Sequence, residues 1–456
     1  MTTIRILDVP TARDTVLRRH LLDDTVVPAA ALEKLAHATR RPVASAAEGV
    51  AHIIADVRAH GDEALRHYSA ALDGHEIGSI AVPPEEIEAA YARLDPSLRE
   101  ALHRSADRIQ SFHQRQLAQS GDWLDEEGDS RLGQLIRPLE RVGIYAPGGR
   151  ALYPSSLLMA AVPARVAGVK EIVVISPPSG DCGEEETEKR VMVADVTLAA
   201  AQVAGGAQPL RVFQVGGAQG IAALAYGTES VPRVDKILGP GGLFVVLAMK
   251  QVFGAVGIAG LPGPTETLLI ADNSAAPALV AADLLAQAEH DVLASALLLT
   301  PSRALADQVA AEVETQLAAL PRQPIVEGSL ARGSAIVLTA DLDEALALAN
   351  DYAPEHLCLL VEDPWALVPK VEHAGGVFVG ETACEALGDY IVGPSHIMPT
   401  NRTARFSSPV NVRDFQKIIS LFGVGPNTLR ETGPTAIRLA EAEGLQGHAA
   451  AIRKRL

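Results

Sequence analysis

From Arg141 onward the chain alternates short apolar runs with helical segments, and this rhythm restricts the fold more than any other feature. The runs are EIVVIS, RVFQV, KILGP, TLLIAD, SALLLT, SAIVLT, LCLLVED and GGVFVG, each followed by a Gly, Pro or Asp turn and usually by a helix. Continuous apolar strands joined by helices belong to largely parallel sheets covered on both faces. The runs suffice for two such sheets. At roughly 100–200 residues per domain, 456 residues also exceed one compact core. Aromatic residues make up only 4%, so Ala, Val, Leu and Ile must build the core. That composition favours an α/β protein over an all-β one.

Residues 1 to about 135 read as helical. The stretches EGVAHIIADVRAHGDEALRHYSAAL and DPSLREALHRSADRIQSFHQRQL carry apolar residues at helical spacing. SPPSGDCGEEETEKR, from Ser176, reads as a solvated loop. After about Val410 the strand-like runs stop, and the tail from NVRDFQKIIS onward reads as a helical arm.

Charge and targeting signals exclude several classes. With 39 Lys and Arg against 56 Asp and Glu, the net charge is −17. Nucleic acid and anionic membranes both require clustered cations, so neither is expected as a partner. The start, MTTIRILDVPTARD, has no apolar core of a signal peptide, which points to the cytoplasm. The most apolar segment, LFVVLAMKQVFGAVGIAGL, is broken by Lys250 and Gln251 and reads as a buried helix entering a strand. Three cysteines, Cys182, Cys358 and Cys384, form neither a disulfide framework nor a zinc ribbon.

Eight of the thirteen histidines lie at or before His113 in helical sequence and read as ordinary helix faces. Four of the rest stand in unusual contexts. In NDYAPEHL, Glu355 and His356 follow Pro354 at the mouth of an apolar strand. Histidine is the natural base near neutral pH, and a neighbouring carboxylate can activate water. In LLAQAEHD, Gln287 and His290 share a helix face at i and i+3. In ALGDYIVGPSHIMPT, Asp389 and His396 occupy a Gly- and Pro-rich loop after a strand, where α/β proteins build sites at carboxyl edges. EAEGLQGHAAAIRKR holds Glu443 and His448. Gln, His, Asp and His would together suit zinc, or manganese or cobalt, without a thiolate. Neither GxGxxG nor a P-loop is present. Three Gly-rich turns, YAPGGRALYPSS, VGGAQGIAALAYG and LGPGG, are candidate anion sites, the second leading into a helix N-terminus.

Taken together, these stretches resemble the histidinol dehydrogenase family. YAPGGRALYPSSLLMAAVPARVAGV, VGGAQGIAALAYGTESVPRVDKILGPG, GPTETLLIAD, LLAQAEHD, YAPEHL, GDYIVGPSHIMPT, ARFSSPVNVRDF and EAEGLQGHAAAIR carry the resemblance, in this order. It implies oxidation of L-histidinol to L-histidine through the aldehyde, with two NAD+ and one Zn2+ per subunit. By the same mapping Gln287, His290, Asp389 and His448 hold the metal, His356 is the general base, and Glu355 activates the water that hydrates the aldehyde. Thr265, Gln287, His290, His356, Asp389, His396, Glu443 and His448 match substrate contacts. Tyr145, Gln219 and Gly242 match cofactor contacts.

The implied architecture is two Rossmann-like domains with largely parallel sheets, a helical N-terminal segment and a helical C-terminal arm. The expected boundaries are 1–40 for the N-terminal segment, 41–143 plus 266–408 for the domain carrying metal and catalytic residues, 144–265 for the NAD side, and 409–456 for the arm. The arm is expected to cross to the partner in a homodimer with shared active sites. Three positions depart from the family pattern: Gly242 and Ser395, where Asn is common, and Thr265, where Ser is common. They leave a related zinc- and NAD-dependent dehydrogenase of another polar alcohol, such as a sulfonated diol, as the main rival. A zinc-dependent hydrolase and a non-catalytic binding protein are the others.

Overall fold

The computed structural model of the protein describes residues 4–18, 27–148, 152–179, 181–182 and 190–456. Two parallel sheets dominate it. The larger has six strands in the order Ile6–Asp8, Ala335–Leu338, Ser295–Thr300, Glu266–Ala271, His356–Leu360, Gly376–Val379. The smaller has five, in the order Gly257–Ile258, Lys236–Leu238, Arg141–Tyr145, Glu171–Ile175, Arg211–Phe213. Every pairing within these two sheets is parallel. The central strands Glu266–Ala271 and His356–Leu360 are buried throughout, as apolar runs covered on both faces must be. The fold is therefore α/β with Rossmann-like parallel sheets.

Packing corrects the expected grouping of residues. The helices Ala46–Tyr68, Pro84–Arg93 and Pro96–Leu117 pack on helices of the five-stranded sheet. Their core residues Val50, Ile53, Ile87 and Ile109 join apolar clusters with Val142, Val174 and Leu224 from that half. Residues 46–117 thus pack mainly with the five-stranded sheet, whereas the expectation above grouped 41–143 with 266–408. The reason is that their apolar stripes find partners in the Ala-rich helices Pro154–Val166, Asp195–Gly205 and Gly217–Tyr226.

Strands also occur inside both segments read as helical. Ile6–Asp8 pairs in parallel with Ala335–Leu338 at the edge of the large sheet. Trp123–Glu127, Ser130–Pro138 and Gln416–Gly423 form a separate antiparallel sheet. The last of these leads into helices Pro426–Ala442 and Gln446–Arg453, which pack against each other. Asp129 anchors the first by accepting the backbone N–H groups of Asn427 and Thr428. Phe422, Val424 and Leu439 are exposed on this unit. The acidic loop read from Ser176 lies partly outside the described residues; its flanks, Asp181–Cys182 and Arg190–Val191, pair as two short antiparallel strands. Among the described residues no helix is long and apolar enough to cross a membrane.

Candidate active site

The helix Leu342–Tyr352 begins at Asp341, whose side chain accepts the N–H of Glu344. It ends at Ala353, held in the left-handed region at φ 52°. A non-glycine residue there is uncommon, and Pro354 cannot extend the helix. This break turns the chain directly into the buried strand His356–Leu360, so Glu355 and His356 emerge at the amino edge of the large sheet.

Both side chains are buried. The carboxylate of Glu355 accepts the hydroxyl of Thr265 at 2.6 Å and the backbone N–H of Glu266 at 3.1 Å. Burial nonetheless pushes its pKa up to about 7, the neighbouring His356 opposing the shift. The carboxyl is thus poised to give or take a proton near neutrality. Nδ1 of His356 lies 3.2 Å from the carbonyl oxygen of Glu266 in the adjacent strand. A carbonyl only accepts, so Nδ1 carries the proton and Nε2 keeps its lone pair. Nε2 is buried and has no hydrogen-bond partner among the described residues.

A second buried carboxyl, Glu385, lies 3.5 Å from Nδ1 and receives the hydroxyl of Thr267. Burial raises its pKa well above the usual carboxylate range. Neither Glu385 nor Thr267 is among the site residues expected from the sequence. Glu385 precedes Asp389 by four residues on one helix face, a spacing that could have marked it.

These groups open onto a cavity of about 420 Å³ lined by Thr265, His290, Glu355, His356, Glu385, Asp389, Tyr390 and His396, among others. Its opposite wall comes from the small sheet: Pro147, the helix start at Ser155 and Ser156, and the turn Pro240–Gly242. The cavity therefore lies between the carboxyl edge of the five-stranded sheet and the amino edge of the six-stranded one. The expectation of a carboxyl-edge site holds for the first sheet only. On the second, helices return toward the strand starts and deliver Gln287, His290 and Asp389 from their far ends.

Gln287 is fully buried behind Thr265 and donates its amide N–H to the Thr265 hydroxyl at 2.9 Å. That bond fixes the amide, and its Oε1 is left buried without a partner among the described residues. His290 shares the cavity with Asp389, and burial lowers its pKa while the Asp389 charge opposes. A neutral imidazole, a carboxylate and an orphaned amide oxygen are the donor types of a zinc site without thiolate. Among the described residues no three His, Cys, Asp or Glu side chains gather as a complete metal cage. One chain brings two such groups and an amide. His448 and Glu443 are exposed, at and near the start of the last helix.

The cofactor-side expectations divide. Gly242 lies on the cavity wall. Tyr145 and Gln219 are buried in the small sheet's half and do not line it. Gln219 donates its amide N–H to Asp73 at 3.0 Å, and burial raises Asp73 to about 6 and Tyr145 to about 12. Ser395 also faces away from the cavity: it is buried and donates to the carbonyl of Met159 at 3.2 Å. Thr265 keeps the hydroxyl that joins Gln287 to Glu355. Cys358 is buried in its strand, and burial raises its thiol well above the usual value, so it is a packing residue and not a nucleophile.

The sequence model of the histidinol dehydrogenase family matches residues 37–456. A histidinol dehydrogenase of Deinococcus radiodurans is 53% identical over 409 residues, covering 89% of this chain and 90% of that protein. One from Thermus thermophilus is 51% identical, over 89% of this chain and 93% of that protein. The crystal structure of histidinol dehydrogenase from Elizabethkingia anophelis superposes with a TM-score of 0.87 at 32% identity, covering 99% of this chain and 98% of that one.

Proposed function

The chain belongs to the histidinol dehydrogenase family, NAD-dependent oxidoreductases of an alcohol and its aldehyde, and from that premise we propose that it oxidises L-histidinol to L-histidine in two steps, with two NAD+ and one Zn2+ per subunit. The observation that carries this reading is the buried Glu355–His356 pair on one cavity, with Nδ1 of His356 on a backbone carbonyl and Nε2 without a hydrogen-bond partner among the described residues.

In the first oxidation Nε2 of His356 takes the hydroxyl proton of the alcohol, as the carbon-bound hydrogen leaves as hydride. The carbonyl of Glu266 and the carboxyl of Glu385, both beside Nδ1, stabilise the resulting imidazolium. In the second, the Glu355 carboxylate removes a proton from the water that adds to the aldehyde carbon. The His356 imidazolium returns its proton to the aldehyde oxygen as the hydrate forms. The neutral ring then takes a hydroxyl proton of the hydrate as the second hydride leaves, giving the acid, which ionises to the carboxylate product. Bound NAD+ supplies the hydride acceptor for each oxidation. Gln287, His290, Asp389 and His448 of the partner subunit would hold zinc, which when bound supplies a fixed positive centre for the imidazole and amino groups of the substrate. Thr265, His396 and Glu443 of the partner subunit complete the substrate contacts in this reading, and Tyr145, Gln219 and Gly242 belong to the cofactor side.

The cavity's charge weighs against the rival substrate. Its described walls hold the carboxylates of Asp291 and Asp389, the raised carboxyls of Glu355 and Glu385, and no Lys or Arg. Such walls suit a cationic amino alcohol, whereas a sulfonate needs basic partners. The exposed, self-packed C-terminal helices support an arm that docks on a second subunit. We take residues 46–265 and 266–408 as the two main units.

The stoichiometry tests the function: zinc-loaded protein with excess NAD+ forms two NADH per L-histidinol consumed. No NADH from folded, zinc-bound protein would move the assignment to another alcohol. A pH profile tests the role of Glu355. Its pKa is raised, so the base form is lost as pH falls, and aldehyde oxidation drops about tenfold per unit below about 7. Glu355→Gln slows the aldehyde step more than the alcohol step in single-turnover measurements. Equal slowing of both would remove Glu355 from the hydration step.

A further inference from the structure

The loop that follows Asp389 crosses from the large sheet to the helices of the small one. Its backbone is tied there at several points. Ser105 donates to the carbonyl of Tyr390 at 2.5 Å, and Ser395 donates to the carbonyl of Met159 at 3.2 Å. These bonds hold the loop's main chain.

One further bond reaches a side chain on the cavity wall. Ser156, buried near the start of helix Pro154–Val166, has its hydroxyl 2.8 Å from Nε2 of His396. On the other side of the ring, Nδ1 of His396 lies 2.7 Å from the carbonyl oxygen of Asp389 and 3.7 Å from its carboxylate. The carbonyl only accepts, so Nδ1 is the protonated nitrogen. Nε2 is then the acceptor, and the Ser156 hydroxyl is the donor. The ring is fixed at both ends by these two bonds.

We propose that Ser156 is a positioning residue that, through the ring of His396, orients Asp389 for the metal from the opposite side of the cavity. The chain Ser156–His396–Asp389 links the cofactor-side helix to the metal-side turn, so the two halves of the site are set relative to one another by a tautomer. Loss of the hydroxyl frees the ring to turn, which withdraws the N–H from the Asp389 carbonyl and loosens the turn that presents the Asp389 carboxylate. Partners of this kind behind a metal ligand change affinity by about 10–100-fold. The inference rests on the assignment of Asp389 as a ligand.

The test is zinc retention by the full-length protein during titration with a competing chelator. Ser156→Ala is expected to release its zinc at about 10–100-fold lower chelator than the parent chain, with unchanged melting of the zinc-free form. Ser156→Thr, which keeps the hydroxyl, restores retention. His396→Ala produces a similar loss, and the double variant adds little to either, as members of one chain should. Ser156→Ala that holds zinc as firmly as the parent, or additive losses in the double variant, would overturn the inference and leave the metal reading intact. A parent chain that takes up no zinc would overturn both.

Discussion

His356→Asn is expected to lower NADH formation from L-histidinol by about 10²–10⁴-fold, the usual contribution of a positioned general base, while zinc content and fold stay unchanged. The argument lies in the asymmetry of the ring. Nδ1 is bound to a backbone carbonyl of the neighbouring strand, and Nε2 has no partner among the described residues. Asparagine can retain a donor toward Glu266 but has no base in place of Nε2. The neighbours of the ring, Phe378 at a centroid distance of 5.8 Å and the buried Glu385, still enclose the space. Metal analysis of the variant decides the role. Zinc retained with hydride transfer lost identifies a base, whereas zinc lost would make His356 a ligand.

The second large effect is complementation between two inactive chains. His356→Ala removes the base, and His448→Ala removes the donor assigned to the other subunit. Each homodimer is expected to be inactive. Mixing the two by unfolding and refolding together, under a two-fold symmetric arrangement, makes half the dimers hybrid, each with one intact site. Roughly a quarter of parental activity should therefore return, from two preparations that have none. The physical basis is that His448 and Glu443 are exposed on helices packed on each other, while Gln287, His290 and Asp389 lie at the cavity or just behind its wall. Failure to recover activity, with hybrid dimers demonstrated by differential tagging, would place His448 in the site of its own chain, and an active His448→Ala homodimer would place it outside the site.

Much of the site was legible before any coordinates. Pro354 after a helical run, followed by a carboxylate, an imidazole and an apolar strand, marks a forced chain reversal with two proton-transfer groups at its exit. The Gln287–His290 spacing marks a shared helical face. Both signals are local. Ser156 was not legible, and Glu385 carried only its spacing from Asp389, because the partners that give both their meaning lie far along the chain. Glu385 is 29 positions from His356, and Ser156 is separated from His396 by 240. The strands Ser130–Pro138 and Gln416–Gly423 were missed for a related reason. They mix polar with apolar residues and carry exposed side chains, so no continuous apolar run announces them.

The sequence by itself determined the class of fold, since continuous apolar runs separated by amphipathic helices have few solutions other than parallel sheets covered on both faces. It also determined which residue types were available for proton transfer and metal binding. Tertiary structure alone decided which edge of each sheet faces the cavity, that the helices of residues 46–117 join the smaller sheet, and that burial raises Glu355 toward neutrality. It also decided that Nε2 of His356 is the nitrogen without a partner among the described residues, because the Glu266 carbonyl that engages Nδ1 belongs to a neighbouring strand. Periodicity is written within a dozen neighbouring residues, whereas desolvation and tautomer choice are set by whatever packs against a group, and packing joins distant parts of the chain.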